Sequence, residues 1–185
     1  MKSLSVLCAA AIVAGASFAA VAPAMAQNPP APCKPAKLPP ISTSRPAGPP
    51  SPEAVANLAT SQAWLAQNAK QPGVKSLPSG AQYKVLTSGD KDAACANPDL
   101  RVRLHYEGRL TDGKVFDSSL DGAPAVFNLN SLIAGWQQVV PYMRIGDEWE
   151  IYLPPNLGYG ERGSGADIPP NSVLIFKLKL LGMLG

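Results

Sequence analysis

Histidine is nearly missing. The 185-residue chain has one, His105, beside three cysteines, too few ligands for a zinc site built mainly from His and Cys, and no cofactor or metal is expected. An excess of one charge is missing too. Sixteen Lys and Arg against thirteen Asp and Glu leave a formal +3, too slight without clustering to call for nucleic acid or an anionic lipid surface as partner. No internal repeat is visible. Proline, by contrast, is abundant at twenty residues. An apolar fraction of 46% excludes wholesale disorder, and the length allows one ordinary domain with tails or at most two small ones.

The one long apolar run opens the chain. Lys2 supplies a positive start, Leu4 to Val21 is apolar apart from small residues, and Ala24-Met25-Ala26 is a small-x-small cleavage signal. Residues 1–26 therefore read as a signal peptide, with Gln27 as the mature N-terminus. A retained anchor is the alternative, but the run is barely long enough for a bilayer and carries Gly15, Ser17 and many alanines. No stable membrane insertion is expected. A lipid on Cys8 is disfavoured by bulky Leu7 before it. The mature chain is expected outside the cytoplasm, periplasmic or extracellular. Cleavage removes Cys8 and leaves Cys33 and Cys95, an even pair in an oxidising compartment that reads as a disulfide; two unpaired thiols are the alternative.

Half of the prolines fall in residues 27–52. That density starves helix and sheet of donors and favours extended polyproline II, so the stretch reads as a semi-rigid spacer. Residues 53–80 form a short helix and lead-in: Ser51 caps, Pro52 suits the first helical position and Gln71-Pro72-Gly73 stops it. Val55, Leu58, Leu65 and Ala69 are its expected apolar face. From 81 to 185 the period changes to two. Val102, Leu104 and Tyr106 alternate with Arg101, Arg103 and His105; Trp149, Ile151 and Leu153 alternate with Glu148, Glu150 and Tyr152. Leu174, Phe176, Leu178 and Leu180 alternate with Ile175, Lys177 and Lys179. Leu132 to Met143 is the only helical candidate among them. Strands around one short helix indicate an α+β domain on an antiparallel sheet.

Chemistry of the familiar kinds finds little support. Gly158 to Gly163 matches G-x-G-x-x-G literally, yet Ser164 to Pro170 cannot form the helix that a phosphate site requires, so it reads as a flexible loop. His105 lies mid-strand with no serine in a nucleophile-elbow context. Glu148 and Glu150 read as adjacent surface carboxylates on an edge strand rather than a glycosidase pair. What remains is aromatic: Tyr106, Phe116, Phe127, Trp136, Tyr159 and Phe176, with Asp117 beside Phe116. These could be core alone. Phe116-Asp117 follows a polar turn at Thr111 to Lys114, however, and Tyr159 sits in a glycine loop, where aromatics more often serve recognition.

The order of these residues resembles a known family. His105-Tyr106-Glu107-Gly108-Arg109-Leu110 with Asp112-Gly113-Lys114-Val115-Phe116-Asp117-Ser118-Ser119, then Gly135-Trp136, Met143, Tyr159-Gly160 and Ile168 to Phe176, is similar to the FKBP-type peptidyl-prolyl isomerases over about residues 81–182. Trp64 to Lys70, Pro72-Gly73-Val74 and Leu77 to Gly80 resemble the entry to that domain in exported, macrophage-infectivity-potentiator-like members. The resemblance implies a five- or six-stranded antiparallel half-barrel wrapped around one short helix, and an apolar pocket for a proline ring. Its floor would be Trp136 and its walls Tyr106, Phe127, Leu132, Ile133 and Phe176. Phe116 belongs to the same set, Asp117 and Tyr159 would line the rim, and the N–H groups of Ile133 and Ile168 would lie near substrate carbonyls. Proline-containing polypeptides are the implied substrates, and macrolides of the FK506/rapamycin type possible inhibitors. Two departures stand out: Ala125 replaces an aromatic wall of the best-known small members, and the long dimerising helices are missing, so a monomer is expected. A chaperone or peptide-binding module on the same fold is the rival reading; a hydrolase lacks a nucleophile with its base.

Overall fold

The computed structural model describes residues 32–35, 38–41 and 49–185. The expected signal peptide, Cys8 and Gln27 lie outside the described residues. Helix α1 (Pro52–Asn68) starts where Ser51 caps it, the Ser51 Oγ accepting the Ala54 N–H at 3.1 Å, with proline in the first turn. Its buried face differs from the expected stripe. Ala54, Ser61 and Leu65 are buried, whereas Val55 is 54% exposed and Leu58 37%. Polar contacts decide this. Ser61 Oγ donates to Asn171 O (2.6 Å), Asn171 Nδ2 to Ala54 O (2.8 Å) and Gln82 Nε2 to Leu65 O (2.9 Å). A small residue and a hydroxyl let the helix come close enough to make those bonds.

Seven antiparallel strands follow: β1 (Val74–Ser76), β2 (Gln82–Thr87), β3 (Arg101–Arg109), β4 (Val115–Ser118), β5 (Ala125–Asn128), β6 (Glu148–Leu153) and β7 (Leu174–Leu184). Their order is β1-β2-β6-β7-β3-β4, with β5 paired to β3 over Arg101–Leu104 on the edge that β4 shares further along. The open sheet thus has more than the five or six strands expected, because β1, β4 and β5 span only three or four residues and show little alternation. β6 is an interior strand between β2 and β7, not an edge. Its carboxylates are accordingly paired across strands, Glu148 with Lys177 (2.9 Å) and Glu150 with Arg109 (2.6 Å).

Helix α2 (Ala134–Val139) covers one face of the sheet. It is shorter than residues 132–143 because Pro141 lacks an N–H for an α-helical bond, and the chain tightens into a 3₁₀ turn at Val140–Tyr142. Under α2 lies the main core, built from Val102, Leu104, Ile151, Leu153, Leu174 and Leu178 with Val139, Val140 and Met143 above. The opposite face is not wholly wet. Tyr152 and Ile175, expected on the outer side, are buried with Val173 beneath Leu65 and Trp64 of α1.

The proline-rich segment returns to the domain. Cys33 and Cys95 form a disulfide, Cα–Cα 5.9 Å, across a sequence separation of 62. The Cys33 N–H donates to Tyr142 O (2.9 Å), Gln138 Nε2 donates to Pro39 O (2.7 Å), and Ile41 packs on the core. The described part of the segment therefore forms a strap over the end of α2. Reducing the bridge, or Cys33→Ser, should lower stability in urea unfolding by about 2–4 kcal/mol while the sheet, whose core needs neither cysteine, still folds. Thiol titration of unreduced mature protein should find neither Cys33 nor Cys95 free.

Candidate active site

The curvature of β3, β4 and β7 against α2 leaves a cavity of about 430 Å³ at one end of the main core, within the size range of small-ligand sites. Its lining contains every residue the sequence singled out for the pocket. β3 carries Tyr106, β4 Phe116 and Asp117, β5 Phe127, and β7 Phe176; Leu132 and Ile133 lead into α2, which carries Trp136, and Tyr159 and Ile168 bracket the long loop before β7. Trp136, 4% exposed, is the hub. It meets Tyr106, Phe127 and Phe176 edge-on, with centroids at 5.5, 6.0 and 5.3 Å, and Phe116 stands perpendicular to Phe176 at 5.5 Å. Perpendicular rings are the favourable arrangement, and they leave ring faces and edges around an apolar hollow.

Two glycines make this closeness possible. A Cβ on Gly135 would lie 2.3 Å from Leu153 Cδ1, so only glycine lets α2 rest on β6. A Cβ on Gly108 would lie 2.6 Å from Phe116 Cε2 and 2.8 Å from Phe176 Cε1; its absence gives both rings their places.

Polarity is confined to the rim. Tyr106 Oη donates to Asp117 Oδ2 at 2.7 Å. Burial, and then the hydrogen bond and charge of Asp117, push the Tyr106 phenol up to about 12, so it remains a donor throughout the physiological range. The loop from Gly158 is more ordered than its glycines suggest. It contains 3₁₀ turns at Pro155–Leu157 and Gly160–Arg162, and Ser164 and Ile168 exchange backbone hydrogen bonds of 2.8 and 3.1 Å. Gly163, at φ +62°, leaves no room for a Cβ, which would lie 2.1 Å from Ile168 O. The Ile168 N–H is thus already given to Ser164 O. The Ile133 N–H has no backbone partner among the described residues.

Ser164, Gly165 and Asp167 also line the cavity and were not expected there. The signal was available: a loop with both ends, Tyr159 and Ile168, on the rim carries its middle over the opening. Ala125 is not in the lining. His105 stays outside it, its Nδ1 3.2 Å from both Ser119 O and Ser119 Oγ. Ser119 Oγ in turn accepts the Tyr106 N–H at 2.9 Å, which ties it into the strand rather than freeing it as a nucleophile. Glu150 is likewise structural: burial alone would raise its carboxyl, but hydrogen bonds from Tyr152 and Arg109 outweigh this and hold it low. Among the described residues no group of three His, Cys, Asp or Glu could hold a metal ion, and no helix is long and apolar enough to cross a membrane.

An open antiparallel sheet closed by a short helix over an aromatic cavity defines the FKBP-like class. Residues 93–181 match the family model for FKBP-type peptidyl-prolyl cis-trans isomerase, and residues 47–85 match the domain amino terminal to it. The peptidyl-prolyl cis-trans isomerase Mip of Coxiella burnetii is 48% identical over 128 residues, covering 69% of this chain and 55% of that protein. The FKBP-type 22 kDa peptidyl-prolyl cis-trans isomerase of Escherichia coli is also 48% identical, over 65% of this chain and 58% of its own length. A crystal structure of a peptidyl-prolyl cis-trans isomerase from Pseudomonas syringae superimposes with a TM-score of 0.68 at 33% identity, over 75% of this chain and 100% of that one. The chain belongs to the FKBP-type peptidyl-prolyl cis-trans isomerase family. It spans little more than half the length of the two curated relatives it matches.

Two outcomes test this geometry. Gly108→Ala should displace Phe116 and Phe176 and cost about 1–3 kcal/mol of stability through overpacking, a loss that urea unfolding reads. Tyr106→Phe should cost about 0.5–1.5 kcal/mol at neutral pH. Because the folded phenol titrates above its ordinary value of 10.0, that contribution is full below pH 10 and is lost as pH rises through about 12. The stability gap between the two proteins, measured by urea unfolding, should therefore narrow only in strong alkali.

Proposed function

We propose that this chain is a peptidyl-prolyl cis-trans isomerase that acts on X–Pro bonds of polypeptides outside the cytoplasm and so assists their folding. The observation that carries the reading is the convergence of Tyr106, Phe116, Phe127 and Phe176 on Trp136 around a cavity whose polar groups stand at the rim. Rotation about an X–Pro bond must break amide resonance, against a barrier of ~18–20 kcal/mol. No covalent bond forms, so neither nucleophile nor metal is called for. The twisted amide is less charge-separated than the planar one, and a dry aromatic pocket favours it relative to water. Trp136 forms the floor for the proline ring; the wall residues Tyr106, Phe127, Leu132, Ile133 and Phe176 exclude water. The Ile133 N–H holds a substrate carbonyl, while Asp117 and Tyr159 orient the chain at the mouth. Stabilisation limited to the twisted state raises the rate tenfold for each ~1.4 kcal/mol.

Export rests on the apolar run and Ala24-Met25-Ala26. It agrees with the Cys33–Cys95 disulfide, a bond that persists in oxidising compartments. Macrolides of the FK506/rapamycin type would compete for the same cavity. The mature protein acts as a monomer: Val55 and Leu58 are the large exposed apolar side chains of α1, far less than the roughly 800 Å² per partner of a standard interface. Light scattering at micromolar concentration should give a single-chain mass, and a doubled mass would contradict this.

A protease-free assay of cis/trans exchange in a short X–Pro peptide tests the function. Exchange should be accelerated, should be nearly flat from about pH 6 to 8, because the rotation transfers no proton, and should survive His105→Gln and EDTA. Trp136→Ala and Phe176→Ala should remove most of the acceleration, and Asp117→Asn a moderate part. Binding of proline peptides without acceleration would make the protein a peptide-binding module instead.

A further inference from the structure

Of the thirteen residues lining the aromatic cavity, two are charged and both are acidic: Asp117 and Asp167; the lining has no Lys, Arg or His. The two carboxylates enter from opposite structures, Asp117 from β4 and Asp167 from the loop that closes over the mouth. Neither is well neutralised. Asp117 takes its hydrogen bond from the uncharged Tyr106 hydroxyl. Asp167 is paired at 2.9 Å with Lys114, but the side chains are 49% (Lys114) and 67% (Asp167) exposed, and exposed pairs are weak and salt-screened. Lys114 itself lies outside the lining. The turn that carries Asp167 is fixed by the Ser164–Ile168 exchange of hydrogen bonds. The low-dielectric aromatic walls intensify the field of such groups at the opening.

Resting on the isomerase reading, we infer that the site favours prolines flanked by a lysine or arginine and disfavours those flanked by aspartate or glutamate, with Asp167 as a specificity-determining residue and Lys114 as its moderating counter-ion. The apolar cavity takes the proline ring. The residue before a proline is held extended, so the neighbouring side chains are carried outward to the rim, where the two carboxylates stand. The substrate class is therefore basic stretches of polypeptide containing proline.

The test uses the mature full chain and peptides that differ only beside the proline, with Lys, Leu or Glu before it in one series and after it in another. Both Kd, by calorimetric titration, and catalysed exchange are read. Lys peptides should bind about two- to fivefold more tightly than Glu peptides in at least one series, and this ratio should collapse in about 1 M salt, where the screening length is ~3 Å. Asp167→Asn should narrow the Lys:Glu ratio and Lys114→Gln should widen it, opposite movements that a general loss of folding or activity cannot produce. Equal Kd values for Lys and Glu peptides, or a ratio that neither variant moves, overturns the inference even if exchange is catalysed. Conversely, a Lys preference in Kd without catalysed exchange upholds the inference and removes the isomerase reading.

Discussion

The distance between α2 and β6 governs the rest of the molecule, and it is set by a missing methyl group. With Gly135 lying against the Leu153 side chain, α2 rests close enough to the sheet for Trp136 to line the aromatic cavity. A Cβ at that position would meet Leu153 Cδ1 at 2.3 Å, so either the helix or the buried Leu153 side chain would have to shift. The other rings depend on the same approach, since Tyr106, Phe127 and Phe176 each take an edge of Trp136. Gly108 performs the matching service on β3 by leaving space for Phe116 and Phe176. A site made of apolar rings has few directional bonds to hold its shape, so its precision comes from packing, and packing here is controlled by where side chains are absent.

The sheet is covered on one face by α2 and on part of the other by α1, which explains where the amphipathic pattern in the sequence misleads. Alternation in β6 and β7 correctly assigns Ile151, Leu153, Leu174 and Phe176 to one side, but Tyr152 and Ile175 are also buried because α1 lies over them. The helix makes that contact through Leu65 and Trp64, sets Ala54 and Ser61 against Asn171, and leaves Val55 and Leu58 outside. Periodicity cannot reveal this choice, since it turns on hydrogen bonds to Asn171 and Gln82, more than ten positions away in sequence.

Legibility at the site follows the same division. Tyr106, Phe116, Trp136, Tyr159 and Phe176 were readable because each stands in an ordered motif with a distinctive spacing, and all of them line one cavity. The short strands β1, β4 and β5 were less so, because three or four residues hold too little alternation to separate from a loop. Ser164, Gly165 and Asp167 escaped notice for a different reason: their place depends on the left-handed backbone at Gly163 and Gly165 and on the reciprocal bonds of Ser164 and Ile168. Read as a string of small residues the segment looks loose, whereas hydrogen bonding makes it a fixed part of the mouth.

The Cys33–Cys95 bond also changes how the domain carries load. Helix α1 and strands β1 and β2 all lie within the covalent loop that it closes. Tension applied to the chain on the N-terminal side of Cys33 passes through the sulfurs to Cys95, which is bridged to Arg144 just beyond α2. The segment between the two cysteines bears none of that tension. A tug from outside therefore reaches the domain beside the end of α2 and bypasses α1, which buries only Ala54, Ser61 and Leu65, so the domain can be pulled without unzipping from its N-terminal end.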